Sequence, residues 1–147
     1  MKQWQKYGLL ALAGGIGYNG VELLWRGYSH WSMTVTGGIC LLLLWTLQQR
    51  MADQSLWKRC VMGMILITAV EFLVGCVVNL VFCWEVWDYT DAPCNLLGQV
   101  CLPYSLLWGL LCAPVFWGMQ TLGRLRRERR KPIPRHGKTA ESGEAPL

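Results

Sequence analysis

Histidine is nearly missing from this sequence: His30 and His136 are the two among 147 residues. No HExxH helix or Cys-x-x-Cys pair accompanies them, so a zinc-type centre has no ligand set at workable spacing. The GxxxxGK[ST] loop that cradles phosphates is absent, which excludes nucleotide hydrolysis by that machinery within this chain. There is no GxSxG elbow for a serine nucleophile. No cofactor is expected from these residues. Charge is also scarce, with 16% of residues Asp, Glu, Lys or Arg against 53% hydrophobic. A soluble domain of this composition would need polar helices to cover its apolar ones, and the sequence offers none.

The seven cysteines are not a disulfide framework. Most sit inside apolar runs, where a thiol behaves as a small hydrophobe. Packing is the expectation for all of them, with a pairing of Cys83 and Cys94 near one membrane face as the alternative.

Long apolar blocks are what the chain has in quantity. They run over Tyr7–Trp25, Trp31–Leu47, Cys60–Trp84 and Val100–Leu122. About 20 helical residues cross a hydrocarbon layer of ~30 Å, so all four are candidates for spans. The reading is an all-α membrane protein with four transmembrane helices. Lys2 and Lys6 precede the first block, Arg50, Lys58 and Arg59 separate the second from the third, and Arg124 to Lys131 follow the fourth. With four spans these cations share one side, leaving Arg26 opposite, and the positive-inside bias places both termini in the cytoplasm. Trp25, Trp31, Trp84 and Trp87 would mark the outer interface, and Trp4, Trp45, Trp57 and Trp117 the inner one. The first block is expected to be a retained span, because Glu22 and Arg26 follow it without a small-residue cleavage site.

Residues 1–123 therefore read as a transmembrane domain and 124–147 as a basic tail. Pro132 and Pro134 should stop any helix there, and the Gly-, Ser- and Glu-rich remainder, His136 included, predicts a solvated, disordered end. Cationic residues beside a bilayer attract anionic lipid at ~1 kcal/mol each. The lipid bilayer is thus the expected partner of the tail, and no specific nucleic acid is.

Polar residues inside the apolar blocks are the candidates for function. A carboxylate at mid-membrane costs ~3 kcal/mol on insertion scales, so Glu71 should face protein or water. Glu71, Gly75 and Asn79 are spaced i, i+4, i+8, one helical stripe about 12 Å long, and Gly75 would let another backbone approach. In the first block Glu22 and Arg26 lie one turn apart and can neutralise each other. Arg26 could equally turn to Glu85, Asp88 or Asp91. These two residues are the expected partners of Glu71 and Asn79 across the bundle. Glu71 has two readings: an exchangeable carboxylate of a proton- or cation-coupled transporter, or a structural group hydrogen-bonded to Asn79 or a neighbouring helix. Trp108, within the fourth block, reads as a packing residue.

The stretch VWDYTDAPCNLLGQVCLPYSLLW is dense in polar groups. Asp88 and Asn95 are placed with His30 at an external mouth. Pro93 and Pro103 suggest a short re-entrant or partly unwound entry to the fourth span, against an ordinary hydrated loop. A His30–Asp88 couple would suit hydrolytic or transferase chemistry at the outer leaflet; an imidazole packed beside Trp31 is the simpler reading. VELLW and VEFLV, with GGICLLLLW and GQVCLPYSLLW, hint at a parallel repeat.

ELLWRGYSHWSM, GGIC, ITAVEFLVGCVVNL and VWDYTDAPCNLLGQVCLPYSLLW resemble the small bacterial membrane proteins grouped as ABC-transporter type IV, CmpB-like. The resemblance runs from about Glu22 to Trp108, with Cys94 standing where an aromatic is expected. It implies a permease-like component of the bacterial cytoplasmic membrane, with an ATPase subunit supplied by another chain. Four helices enclose only a narrow path, so a homo-oligomer is expected. A non-transporting accessory or assembly protein, or an outer-leaflet enzyme, is the alternative.

Overall fold

Each of the four apolar blocks forms a helix in the computed structural model, which describes residues 2–129. The helices are α1 (Gln3–Arg26), α2 (Trp31–Arg50), α3 (Leu56–Gly75) and α4 (Leu102–Arg129). A π-helical turn over Cys76–Val81 extends α3, and a hairpin of β1 (Asn95–Leu96) with β2 (Val100–Cys101) precedes α4. The expected disorder beyond Pro132, and His136 with it, lies outside the described residues.

Local chemistry sets the helix ends. Gly27, at φ 76°, closes α1 by donating its N–H to the Leu23 carbonyl, a left-handed cap that glycine adopts without a Cβ penalty. His30 opens α2, its ring nitrogen accepting from the Ser32 amide. Only four residues, Gly27 to His30, join the two helices, so they pack as an antiparallel hairpin. Pro103 falls in the first turn of α4, where no intrahelical N–H is needed. The expectation that it would disturb the helix start is corrected accordingly.

Two boundaries differ from the sequence reading. The third helical run ends at Val81, not Trp84, because Asn79 turns its side chain onto the chain that follows and the backbone widens there. The fourth begins at Leu102, because Val100 and Cys101 are spent on the hairpin. GIGYNG, Gly15–Gly20, has the glycine spacing of a dinucleotide loop, but it lies wholly within α1 and not at a strand-to-helix turn.

Three helical segments are long and apolar enough to cross a membrane: Trp31–Arg50, Leu56–Val81 and Leu102–Leu125. The burial pattern is inverted relative to a soluble bundle. Leu24, Trp57, Leu110 and Val81 are 70–91% exposed, whereas Ser32, Thr36, Arg59, Glu71 and Gln99 are at most 5% exposed. Apolar faces turned outward over polar interiors are what a lipid surround selects.

Small residues bring α1 and α2 together. Gly37 and Gly38 of α2 lie against the backbone of Gly14 and Ala11, and Gly15 lies against Thr34. Toward the lower end, the end bearing the α2–α3 turn, Cys40, Leu44, Ile67, Cys112 and Phe116 form one core cluster. Arg59, 3% exposed, is held in this region by neutral groups: Gln48 accepts from it at 2.6 Å, Gln120 offers its amide oxygen, and Phe116 lies under the guanidinium. At the upper end, Met33, Val78, Val86 and Trp87 form a second cluster. All seven cysteines, Cys83 and Cys94 included, are free thiols.

Candidate functional site

Glu71 points inward and is 5% exposed. Both carboxylate oxygens are occupied: the Tyr18 hydroxyl of α1 donates to Oε1, and Trp108 Nε1 of α4 donates to Oε2 at 2.8 Å. Neither Asn79 nor Glu22 reaches it by a hydrogen bond. The expected convergence of Glu71 with Glu22 and Arg26 is therefore corrected: the direct partners are two aromatic donors. Tyr18 and Trp108 also stack on each other, with ring centroids 5.0 Å apart. One carboxylate thus fastens a pair of rings contributed by two different helices.

Glu22 and Arg26 form the intrahelical ion pair their spacing predicts. Glu22 also accepts from Ser29, which donates toward Asn19 as well, while Asn19 donates to Thr34 of α2. Arg26 does not turn to the acidic loop side chains. Its second terminal nitrogen donates to the Val86 carbonyl at 3.0 Å, its guanidinium lies 4.7 Å from the Tyr28 ring centroid, and its Nε is buried without a partner.

Asn79 serves the loop. It donates to the Trp87 carbonyl and to Gln99 Oε1, and accepts from the Val86 amide at 2.8 Å. Val86 is consequently gripped from both sides, its carbonyl by Arg26 and its N–H by Asn79. Gly75 leaves room for the Gln99 side chain and the Trp87 ring, not for another backbone as its sequence position suggested. The Trp87 indole donates to the Gln99 carbonyl. Replacing Asn79 by Leu strands the Val86 N–H, the Trp87 carbonyl and the Gln99 amide; at ~1–3 kcal/mol for a buried polar group left unpaired, a net loss of about 2–4 kcal/mol is expected. Limited proteolysis checks it: cleavage between residues 82 and 101 should accelerate at least tenfold.

His30 and Asp88 share no hydrogen bond. The imidazole contacts Ser32 Oγ at 2.8 Å and packs between Trp31 and Trp84. Asp88 is exposed, and donation from the Thr90 hydroxyl and amide holds its carboxyl below the usual range. Asn95 closes the loop by donating to the Thr90 and Ala92 carbonyls. Gly98, at φ 68°, is required there, since a Cβ would meet Asp88 and Thr90 at 2.8 Å.

Two cavities of about 290 Å³ each lie along the bundle. The lower is apolar, lined by Gly37, Cys40, Ile67, Cys112 and Pro114 among others. The upper is lined by Glu22, Arg26 and Asp88 within an aromatic wall that includes Trp25, Tyr28, Tyr89 and Tyr104. Tyr18, Val21 and Trp108 line both. The stacked pair fastened by Glu71 therefore forms the common wall together with Val21, and Glu71 itself lines neither cavity. Among the described residues no group of three or more His, Cys, Asp or Glu side chains could hold a metal ion.

The model of the family described as "Putative ABC-transporter type IV" matches residues 32–131. The chain belongs to that family. The match begins ten residues after Glu22 and continues past Trp108, so it covers α2 from its second residue, α3 and α4, and leaves out the whole of α1. In this chain the matched segment carries Glu71, Asn79, Asp88, Asn95 and Trp108, whereas Tyr18, Glu22, Arg26 and His30 lie outside it. No curated protein and no solved structure matches the chain.

Three residues central to this geometry escaped the sequence reading as site residues: Tyr18, Gln99 and Trp108. Tyr18 carried a usable signal, since it sits four residues before Glu22 on the same helical face. Trp108 is one indole among nine tryptophans, and nothing near it in sequence marks it as a donor to a carboxylate 37 residues away.

Proposed function

We propose that the protein is a permease-like component of a multi-pass transport assembly in the bacterial cytoplasmic membrane. Family membership and the outward-facing apolar surface support a membrane transport-related role. In this reading α1 is the fourth span: it runs antiparallel to α2 over most of its length and turns Leu12, Ile16, Leu23 and Leu24 outward. Both termini are then cytoplasmic, matching the distribution of Lys and Arg. A separate ATPase chain supplies the energy, since this sequence has no phosphate loop, and a second copy helps to enclose the path.

The observation that carries the reading is the Tyr18–Trp108 partition. Two neighbouring cavities that share Tyr18, Val21 and Trp108 as a wall, with the two rings fastened by one carboxylate, have the layout of an interrupted path. Glu71 acts as the latch, Glu22 and Arg26 shape the upper chamber, and Asn79 and Asn95 hold the loop that rims it. The outer-leaflet enzyme alternative would need His30 and Asp88 as a couple, and the two share no hydrogen bond here.

The test uses a variant in which Cys112, 1% exposed and lining the lower cavity, is the sole cysteine. A membrane-impermeant thiol reagent is applied from the external side of vesicles. We expect slow labelling in the parent and at least tenfold faster labelling after Glu71→Gln or Tyr18→Phe, with gel filtration unchanged. Equal rates in all three proteins would refute the partition and leave a non-transporting accessory role.

A further inference from the structure

The upper cavity has a composition that selects its occupant. Seven of its lining residues are aromatic: besides Tyr18 and Trp108 at the floor, Trp25, Tyr28, Trp87, Tyr89 and Tyr104 form the walls. Trp25 donates to the Tyr104 hydroxyl, and Tyr104 stacks on Tyr89, so the walls are braced against one another. Aromatic faces are electronegative and attract cations, most strongly where water is excluded. The protein already uses this: the Arg26 guanidinium lies over the face of Tyr28.

The charge balance points the same way. Glu22 and Arg26 cancel as a pair, which leaves Asp88 as the uncompensated charge lining the cavity. One Asp88 oxygen accepts from Thr90, and the other accepts no hydrogen bond from the described residues. The segment from Phe82 to Gln99 adds Glu85 and Asp91 and contains no Lys or Arg. An anion would meet ring faces and Asp88 while finding the terminal nitrogens of Arg26 already engaged with Glu22 and Val86. At about 290 Å³ the cavity lies at the lower bound of small-molecule pockets.

We infer that the upper cavity is a binding site for a small organic cation, an alkylated ammonium group held against the aromatic walls and balanced by Asp88. The inference rests on the transport reading only in taking the cavity as the entry chamber; binding itself requires no transport.

Tryptophan fluorescence titration of the full chain in nonionic maltoside micelles tests it with choline, its neutral carbon isostere 3,3-dimethylbutan-1-ol, and benzenesulfonate. We expect saturable quenching by choline, at least tenfold tighter than by the neutral isostere, and none by benzenesulfonate. Tyr28→Leu removes an exposed ring that makes no hydrogen bond among the described residues and should weaken choline at least fivefold. Asp88→Asn should do likewise, and Trp25→Phe, which keeps a ring, should weaken it less than Trp25→Leu. Dihexanoylphosphatidylcholine carries the same group on a lipid: tighter binding than choline assigns the source to a headgroup, and weaker binding to a free cation. Equal affinity for the neutral isostere, tighter binding of benzenesulfonate, or no saturation with choline would overturn the inference. Choline binding without gated Cys112 labelling would leave a cation site on a non-transporting protein. Gated labelling without choline binding would remove this ligand class and keep the transport reading.

Discussion

Tyr18→Phe is expected to cost about 2–3 kcal/mol, although it deletes one oxygen atom. The hydroxyl is one of two donors to a carboxylate that is 5% exposed. Hydrogen bonds to charged groups contribute ~1.5–3 kcal/mol each, and leaving such an acceptor bare within a low-dielectric bundle adds its desolvation penalty. The ring itself stays, so its stacking on Trp108 and its contact with Gly37 are unchanged in kind. Specificity for the Glu71 interaction is read from a double-mutant cycle. In a Glu71→Leu background there is no carboxylate to strand, and the same Tyr18→Phe change should cost no more than about 0.5 kcal/mol. Equilibrium unfolding of the detergent-solubilised protein measures both. Additive costs in the two backgrounds would mean that the hydroxyl does not serve Glu71.

The second large effect is steric and concerns the α1–α2 seam. Gly37→Ala places a Cβ 2.6 Å from the Gly14 carbonyl oxygen and closer still to Tyr18 Cβ. Neither neighbour is the free end of a flexible side chain, so the helices must part. Overpacking of a tight contact costs ~1–3 kcal/mol and more where backbone resists, and about 3 kcal/mol is expected here. Because Tyr18 is one of the displaced groups, the variant should also loosen the ring partition and speed Cys112 labelling. Gly17→Ala on α1, the other helix of the seam, is the control. It meets nothing within 4 Å, and trading glycine for alanine in a helix interior gains ~0.5–1 kcal/mol. Opposite signs for the two Gly-to-Ala changes, measured by thermal unfolding, separate packing from propensity.

Much of the architecture was legible from apolar block length alone. Four helices formed where the blocks lie, and the Glu22–Arg26 pair formed because one helical turn brings those positions together in any context. The inward turn of Glu71 was also legible, since the cost of a lipid-facing carboxylate constrains its direction before its partners are known. The identity of those partners was not. Asn79 shares a nominal stripe with Glu71, yet the π-helical turn shifts it toward the loop, where the Val86 amide and Trp87 carbonyl need pairing. His30 and Asp88 looked like a couple because both were assigned to one face; each instead finds a nearer local partner in Ser32 and Thr90.

What the sequence determined by itself, then, was which segments are helical, which faces prefer hydrocarbon, and which ionisable side chains must be turned away from it. These follow from composition, spacing and solvation energies that act within a single helix. Tertiary structure decided that Tyr18 and Trp108 fasten Glu71, that these same two rings help to separate two neighbouring cavities, and that Gln99 occupies the gap left by Gly75. The reason is geometric. Those contacts join residues 24 to 90 positions apart on different elements, and their distances depend on how closely the glycines let the helices approach, a quantity no local pattern encodes.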